Sequence, residues 1–211
     1  MLQLYDYFRS SAAFRVRLAL NYKQLEYTKI NINLLTAEHL NSAYSQLNPS
    51  KLVPLLTTVE NENIAQSVAI IEYLDEVYPL KPLLPTAALA RAYVRGLALE
   101  IACDIHPLNN LRVLNYLKGQ LGHSAAEVQL WYQHWVTLGL ASLEQKISQS
   151  PFYSGTYCCG ASFSLADACL LPQLFNARRF KIELSDYPLL LKIEALCQQH
   201  SWVTAAYPAA N

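Results

Sequence analysis

The sequence predicts an α/β domain followed by an all-α domain, and three observations carry that prediction. Strand-like and helix-like segments alternate through residues 1–80, Pro79, Pro82 and Pro85 crowd the next stretch, and no strand-like pattern follows it. Residues 2–7 (LQLYDY) alternate in the manner of a short strand. Ser10 and Ser11 then open a helix over residues 12–22, where Ala13, Val16 and Leu20 share one face. Residues 27–34 read as a second strand, with Ile30 and Ile32 on one side. Residues 37–47 read as a short helix closed by Asn48-Pro49. A third strand covers residues 52–59 and contains Pro54. Residues 60–63 (ENEN) are turn chemistry, and Ile64 and Ala65 form a fourth short strand. Residues 67–78 (SVAIIEYLDEVY) make a helix that Pro79 ends. This β-α-β-α-β-β-α order fits a small mixed sheet flanked by helices.

Beyond the linker at residues 79–86, a helix is expected over 87–104, with Pro107 kinking or breaking the next turn. Ser124-x-x-Glu127 is a capping box that opens a helix running to about Ser148, and Ser164-x-x-Asp167 opens another by the same logic. Residues 187–200 form the last helix. The expected domains are therefore 1–80 and 87–211.

Hydrophobic residues at 53% and charged residues at 15% exclude general disorder. Lys plus Arg and Asp plus Glu are 16 each, so the basic excess of a nucleic-acid reader is missing. No apolar run approaches the ~18 residues of a membrane span. Asp6 and Arg9 interrupt the start before a signal-peptide apolar region forms, so a cytoplasmic protein with no membrane partner is expected. The five cysteines, Cys103, Cys158, Cys159, Cys169 and Cys197, are odd in number and show no C-x-x-C spacing. Buried reduced thiols are expected, with neither a disulfide framework nor a zinc site.

Three features carry chemistry. Arg9-Ser10-Ser11 lies where the first strand meets the first helix. A helix start presents free N–H groups and partial positive charge, so it holds an anion or lowers a thiol's pKa, while a serine there serves equally as a simple N-cap. Arg15 and Arg17 are unfavourable for the helix dipole unless they serve an anion or another partner. Val53-Pro54 stands near the start of a strand-like run. A trans proline at a sheet edge is one reading; a cis bond, exposing the Val53 N–H and C=O to a partner, is the other. Gln66-Ser67 precedes the third predicted helix of this domain, a further N-terminus suited to a carboxylate. In the helical domain, His106 sits beside Pro107, and three-residue spacing places Asn109 and Arg112 on one helical face. Arg112 and Arg179 are possible anion binders. The histidines lack metal-ligand spacing, and no nucleotide-loop or nucleophile-elbow motif occurs.

Residues 7–20 (YFRSSAAFRVRLAL) resemble the N-terminal signature of the zeta-class glutathione transferases, whose bacterial members are maleylacetoacetate or maleylpyruvate isomerases. Asn48-Pro49 through Val53-Pro54 is similar to that family's cis-proline segment, and residues 66–74 (QSVAIIEYL) to its glutamyl-binding segment. Residues 104–114 (DIHPLNNLRVL) resemble the bacterial branch. Ser164-Leu165-Ala166-Asp167 matches the fold's capping box, and residues 176–180 (NARRF) its late arginine segment. The likeness runs nearly the whole chain, and the Arg-Ser-Ser-x-x-x-Arg-Val-Arg block is its specific part.

The resemblance implies a thioredoxin-like N-terminal domain, a helical-bundle C-terminal domain, a homodimer and glutathione as cofactor. Ser10 or Ser11 would hold the glutathione sulfur as thiolate. Val53, followed by Pro54, would pair through its backbone with the cysteinyl part. Gln66 and Ser67 would bind the glutamyl end, with His39 and Lys51 near the glycyl carboxylate. His106, Asn109 and Asn110 would border the cleft from the helical side. Arg9, Arg112 and Arg179 would clamp a dicarboxylate substrate. The implied reaction is glutathione-dependent cis–trans isomerisation of a conjugated diacid such as maleylacetoacetate. Maleylpyruvate, general conjugation of electrophiles, and a non-catalytic binding protein of the same fold are the alternatives. Many relatives carry cysteine where this chain has Ala12, so a covalent or redox role at that position does not apply.

Overall fold

A computed structural model describes residues 1–208, and contacts divide the chain into two compact units. The first comprises Met1–Leu83 together with the segment from Gln198 onward; the second is Leu84–Cys197.

The first unit opens with β1 (Leu2–Asp6), followed by α1 (Ser11–Lys23) and β2 (Tyr27–Asn31). A single 3-10 turn (Glu38–Leu40), α2 (Ser42–Leu47), β3 (Leu55–Thr57), β4 (Asn63–Ala65) and α3 (Ser67–Val77) complete it. The expected element order is present. The strands form one sheet in the order β2-β1-β3-β4, with β1 parallel to β2 and the other pairs antiparallel. The helix expected over 37–47 is instead two pieces. Asn41 between them is extended (φ −63°, ψ 149°), and the Glu38 carboxylate is drawn back to the Asn33 N–H at 2.7 Å. Helix α1 is buried on all sides from Ala13 to Leu20, and its Phe14, Val16, Leu18 and Leu20 are fully buried, as are Leu4, Leu56, Ile70, Ile71 and Leu74.

The second unit has only helical regular elements among its described residues. It contains α4 (Ala88–Leu99), a π-helical turn (Glu100–Ile105), a 3-10 turn (Pro107–Asn109), α5 (Leu111–Gly119), α6 (Ala125–Ser148), α7 (Leu165–Arg179) and α8 (Pro188–Cys197). The π-turn replaces the last part of the helix expected to reach residue 104. Its Ile105 occupies space against α6 that only Gly139 leaves open, since a Cβ at Gly139 would lie 2.3 Å from Ile105 Cδ1. Helix α5 was not anticipated, although Asn110 caps it by accepting from the Arg112 N–H at 3.1 Å. Both expected capping boxes form.

The segment after Gln198 departs from the expected boundary, which assigned everything from 87 to 211 to the helical domain. Its short helix α9 (Ser201–Thr204) packs on α1. Arg17 Nε donates to the Ala206 carbonyl at 2.9 Å, Asn21 Nδ2 donates to the Trp202 carbonyl at 3.1 Å, and Phe14 meets Tyr207 edge-on. The apolar and carbonyl groups of the segment thus find partners on α1, and nothing in local sequence marks that return.

All five cysteines are free thiols. Burial, reinforced by the nearby Asp167 charge, pushes the Cys158 thiol far up, so it is inert near neutral pH. Asp167 is fully buried and accepts from Cys158 N (2.8 Å), Ser164 N (2.9 Å) and Ser164 Oγ (2.6 Å). It therefore caps α7 and anchors the preceding loop at once. Asp167→Ala is expected to cost about 3 kcal/mol, since it strands three buried donors. A urea unfolding midpoint equal to that of the parent protein would contradict this role.

Candidate functional site

Strand register decides where the three sequence features of the first unit fall. Tyr5 of β1 faces Leu55 of β3, and Leu55 faces Ala65 of β4. The chain therefore leaves β1 into Tyr7–Ser11, enters β3 from Val53-Pro54, and leaves β4 into Gln66-Ser67, all at one end of the sheet. Asp6 also pairs with Asn31, so the loop from β2 toward His39 leaves from this end too. Tyr7 and Val53 share one hydrophobic cluster with Ile32, Tyr44 and Leu55, which holds the β1 exit against the proline segment.

The N-cap reading of Ser10 is met in the structure. Ser10 is the N-cap of α1, and its Oγ accepts from the Ala13 N–H at 3.2 Å. A hydroxyl whose lone pair is so used keeps its own hydrogen for a further acceptor. Ser10 is half-buried, whereas Ser11, the first helical residue, is 3% exposed. The preceding turn is fixed by Ser10 N–H to the Tyr7 carbonyl at 2.8 Å. Arg9 follows Phe8 in that turn, with its guanidinium 4.9 Å from the Phe8 ring.

Beneath the turn, Arg17 Nη1 meets Asp6 Oδ1 at 2.5 Å and Nη2 donates to the Phe8 carbonyl at 3.1 Å. Burial raises the Asp6 carboxyl above the usual range, and Arg17 and Lys29 pull against that shift. Arg17 is thus a structural arginine, as one of the two readings of Arg15 and Arg17 allowed.

The Val53–Pro54 peptide is cis. Tyr44 Oη and Asn48 Nδ2 both donate to the Leu52 carbonyl, at 2.6 and 2.8 Å, so the approach to Val53 is pinned. Val53 itself precedes the ladder, which begins at Leu55. Sequence reasoning missed Tyr44 and Asn48; the Asn48-Pro49 helix stop was their visible signal.

Gln66 takes a positive φ of 73°, which turns the chain from β4 into α3 and presents Ser67 at the helix start. Neither α1 nor α3 has an acidic residue in its first turn, where one would ordinarily complement the dipole. Ser67 is buried and its Oγ accepts from Arg15 Nη1 at 3.2 Å. His39 is half-buried, with Nδ1 shielded from solvent and lacking a hydrogen-bond partner among the described residues. Burial lowers its pKa from 6.5. Lys51 is exposed on a left-handed turn (φ 54°).

In the second unit, Asn110 Nδ2 lies 3.4 Å from His106 Nε2, and Asn109 Nδ2 donates to the Ile105 carbonyl. Asn109 and Arg112 do not share one helical face as expected. The 3-10 turn ends at Asn109, and the extended Asn110 (φ −66°, ψ 146°) starts a new helix before Arg112. Asn109 Oδ1 is buried without a hydrogen-bond partner among the described residues. Helix α6 braces both segments of interest in this unit. Trp131 Nε1 donates to the Leu108 carbonyl at 2.8 Å, and Gln129 Nε2 to the Phe180 carbonyl at 2.7 Å. Arg112 and Arg179 are both exposed, and Arg179 Nη1 donates to Asn176 Oδ1. Its neighbour Arg178 is committed to a bidentate pair with Glu194.

Comparison with known proteins follows this geometry. A family model described as glutathione S-transferase, N-terminal domain, matches residues 1–76. A probable maleylacetoacetate isomerase of Vibrio cholerae is 47% identical over 92% of this chain and 89% of its own length. Among solved structures, a holo maleylpyruvate isomerase, described as a bacterial zeta-class glutathione S-transferase, superposes with a TM-score of 0.94. It is 39% identical and covers 99% of this chain and 98% of its own. A maleylacetoacetate isomerase from Methylobacterium extorquens AM1 with bound malonate and glutathione also gives 0.94, at 32% identity, covering 98% and 96%.

The depressed His39 pKa fixes a direction. The unfolded chain takes up a proton at about 6.5, before the folded protein does, so stability is full above that pH and falls as the pH drops through it. NMR titration of the free protein should place His39 below 6.5, and His39→Gln should flatten the stability loss between pH 6.5 and 5. A His39 midpoint at or above 6.5 would contradict the burial argument.

Proposed function

This chain belongs to the zeta class of the glutathione S-transferases, and we propose on that premise that it converts maleylacetoacetate to fumarylacetoacetate. It is a glutathione-dependent isomerase. The observation that carries the reading is the convergence of two helix starts, the Val53-Pro54 segment and the His39 loop at one sheet end. The residues fit the tripeptide. Its two carboxylates and its thiolate ask for cationic or hydrogen-bond donor groups: the acid-free start of α3 and His39 Nδ1 suit the carboxylates, and the acid-free start of α1 suits the sulfur.

When bound, glutathione supplies a thiolate that adds to the cis double bond, permits rotation about the resulting single bond, and leaves by elimination. The protein's tasks follow from that. The N-terminus of α1 and a serine hydroxyl keep the sulfur ionised. Ser10 is the assigned donor, because its Oγ already accepts from Ala13 and its hydrogen is left to give; Ser11 is buried and secondary. The Val53 backbone orients the cysteinyl part. Gln66 and Ser67 take the glutamyl end, and His39 and Lys51 the glycyl carboxylate. His106, Asn109 and Asn110 are assigned to the ligand from the second unit. Arg9, Arg112 and Arg179 hold the substrate's carboxylates and the charge that develops on its carbonyl oxygen, a task suited to the bidentate guanidinium.

A place in the breakdown of aromatic amino acids, a cytoplasmic location and a homodimer complete the reading. No described helix is long and apolar enough to cross a membrane. Leu89 of α4 and Leu130 and Leu138 of α6 are exposed, which supports a self-association surface. Maleylpyruvate remains the second diacid, favoured by the zeta-class maleylpyruvate isomerase of the same fold.

Isomerisation of maleylacetoacetate should require added glutathione, and Ser10→Ala should lower kcat about 100-fold, with Ser11→Ala milder. Turnover unaffected by omitting glutathione would end this mechanism, and full turnover in the double variant would remove both hydroxyls from it. Arg179→Leu should raise KM for the diacid roughly tenfold or more while sparing an uncharged electrophile. Equal effects on the two substrates would reject the clamp.

A further inference from the structure

Arg15 is a buried charged group of the first unit that the mechanism leaves unused. It lies on α1 one turn after Ser11 and is 2% exposed, which places a full positive charge inside the unit. Burying a guanidinium is costly unless its charge and hydrogens are employed. Arg15 reaches across to α3, where Nη1 donates to Ser67 Oγ at 3.2 Å.

The chemistry of that contact is directional. A guanidinium has donors and no acceptor, so the hydrogen bond consumes a lone pair on Ser67 Oγ and leaves the hydroxyl hydrogen to be donated elsewhere. Ser67 is also the first residue of α3, where backbone N–H groups have no intrahelical partner. Its O–H and N–H therefore both act as donors at one helix start. No acidic residue stands in the first turn of α3 to take up those donors.

We propose that Arg15 is a positioning residue for glutathione, one that fixes the Ser67 hydroxyl as a donor to the α-carboxylate of the glutamyl end. The inference rests on the glutathione reading above. It adds a group that touches neither tripeptide nor substrate and acts through Ser67.

The test compares glutathione with 4-aminobutyryl-cysteinylglycine, which lacks that one carboxylate. Arg15→Met is expected to raise KM for glutathione about tenfold, with kcat at saturation held within about twofold, and to leave KM for the truncated tripeptide unchanged. Arg15→Lys, which keeps charge and donors, should recover part of the loss. A tie that merely joins α1 to α3 would raise both KM values together, and that outcome, or no change in either, overturns the proposal. Ser67→Ala gives an independent arm should Arg15→Met fail to fold. In that background Arg15→Lys should add no further penalty with glutathione, and additive penalties overturn the proposal. Parent protein that treats the two tripeptides alike would remove the glutamyl assignment, and this inference with it, whereas isomerase activity without any thiol would instead remove the parent reading.

Discussion

Arg17 is the tie on which the first unit depends. One guanidinium reaches Asp6 at the end of β1, the Phe8 carbonyl in the following turn, and the Ala206 carbonyl of the returning C-terminal segment. The turn between β1 and α1 cannot shift without breaking one of these bonds. Removing one partner of such a buried pair costs about 3–5 kcal/mol, a large fraction of a domain's net stability. What the tie secures is the aim of Ser10, because the same turn ends in the N-cap of α1. The buried arginines have different tasks: Arg17 holds the backbone of the turn, and Arg15 addresses Ser67.

The site is assembled by strand register before any side chain is considered. Tyr5, Leu55 and Ala65 lie abreast across three strands, so a helix start, a proline segment and a second helix start emerge side by side. These places offer backbone donors and hydroxyls but little intrinsic reactivity. The buried thiols are also unsuited to chemistry, since desolvation keeps Cys158 and Cys197 protonated. With Ala12 at the helix start, the reactive sulfur has to arrive with a ligand, and the protein's contribution is its ionisation and aim.

Much of this was legible in the sequence because it is local. Ser124 and Ser164 announced their helices through capping boxes, and the helix of residues 67–77 declared itself by apolar spacing and a terminal proline. Serine at a helix start was legible as a cap and as a candidate anion site, and Ser10 does cap α1. What local pattern could not convey was pairing across distance. Arg15 meets Ser67 over 52 positions, and Arg17 meets Ala206 over 189. Helix α5 escaped notice because Pro107 drew attention to a break, while the cap that restarts the chain, Asn110, stood three residues later. The helix of residues 37–47 broke where Glu38 found a better partner in the Asn33 N–H. The tripeptide roles came from likeness to a family, and the register explains why residues so far apart could share them.

The return of residues 198–208 to α1 has a consequence for biosynthesis. On the ribosome, the first 83 residues emerge long before the segment that covers Phe14, Arg17 and Asn21 is made. The helical unit, Leu84–Cys197, is translated in between. The first unit to be synthesised is thus completed only after the helical unit has been made, when residues 198–208 emerge.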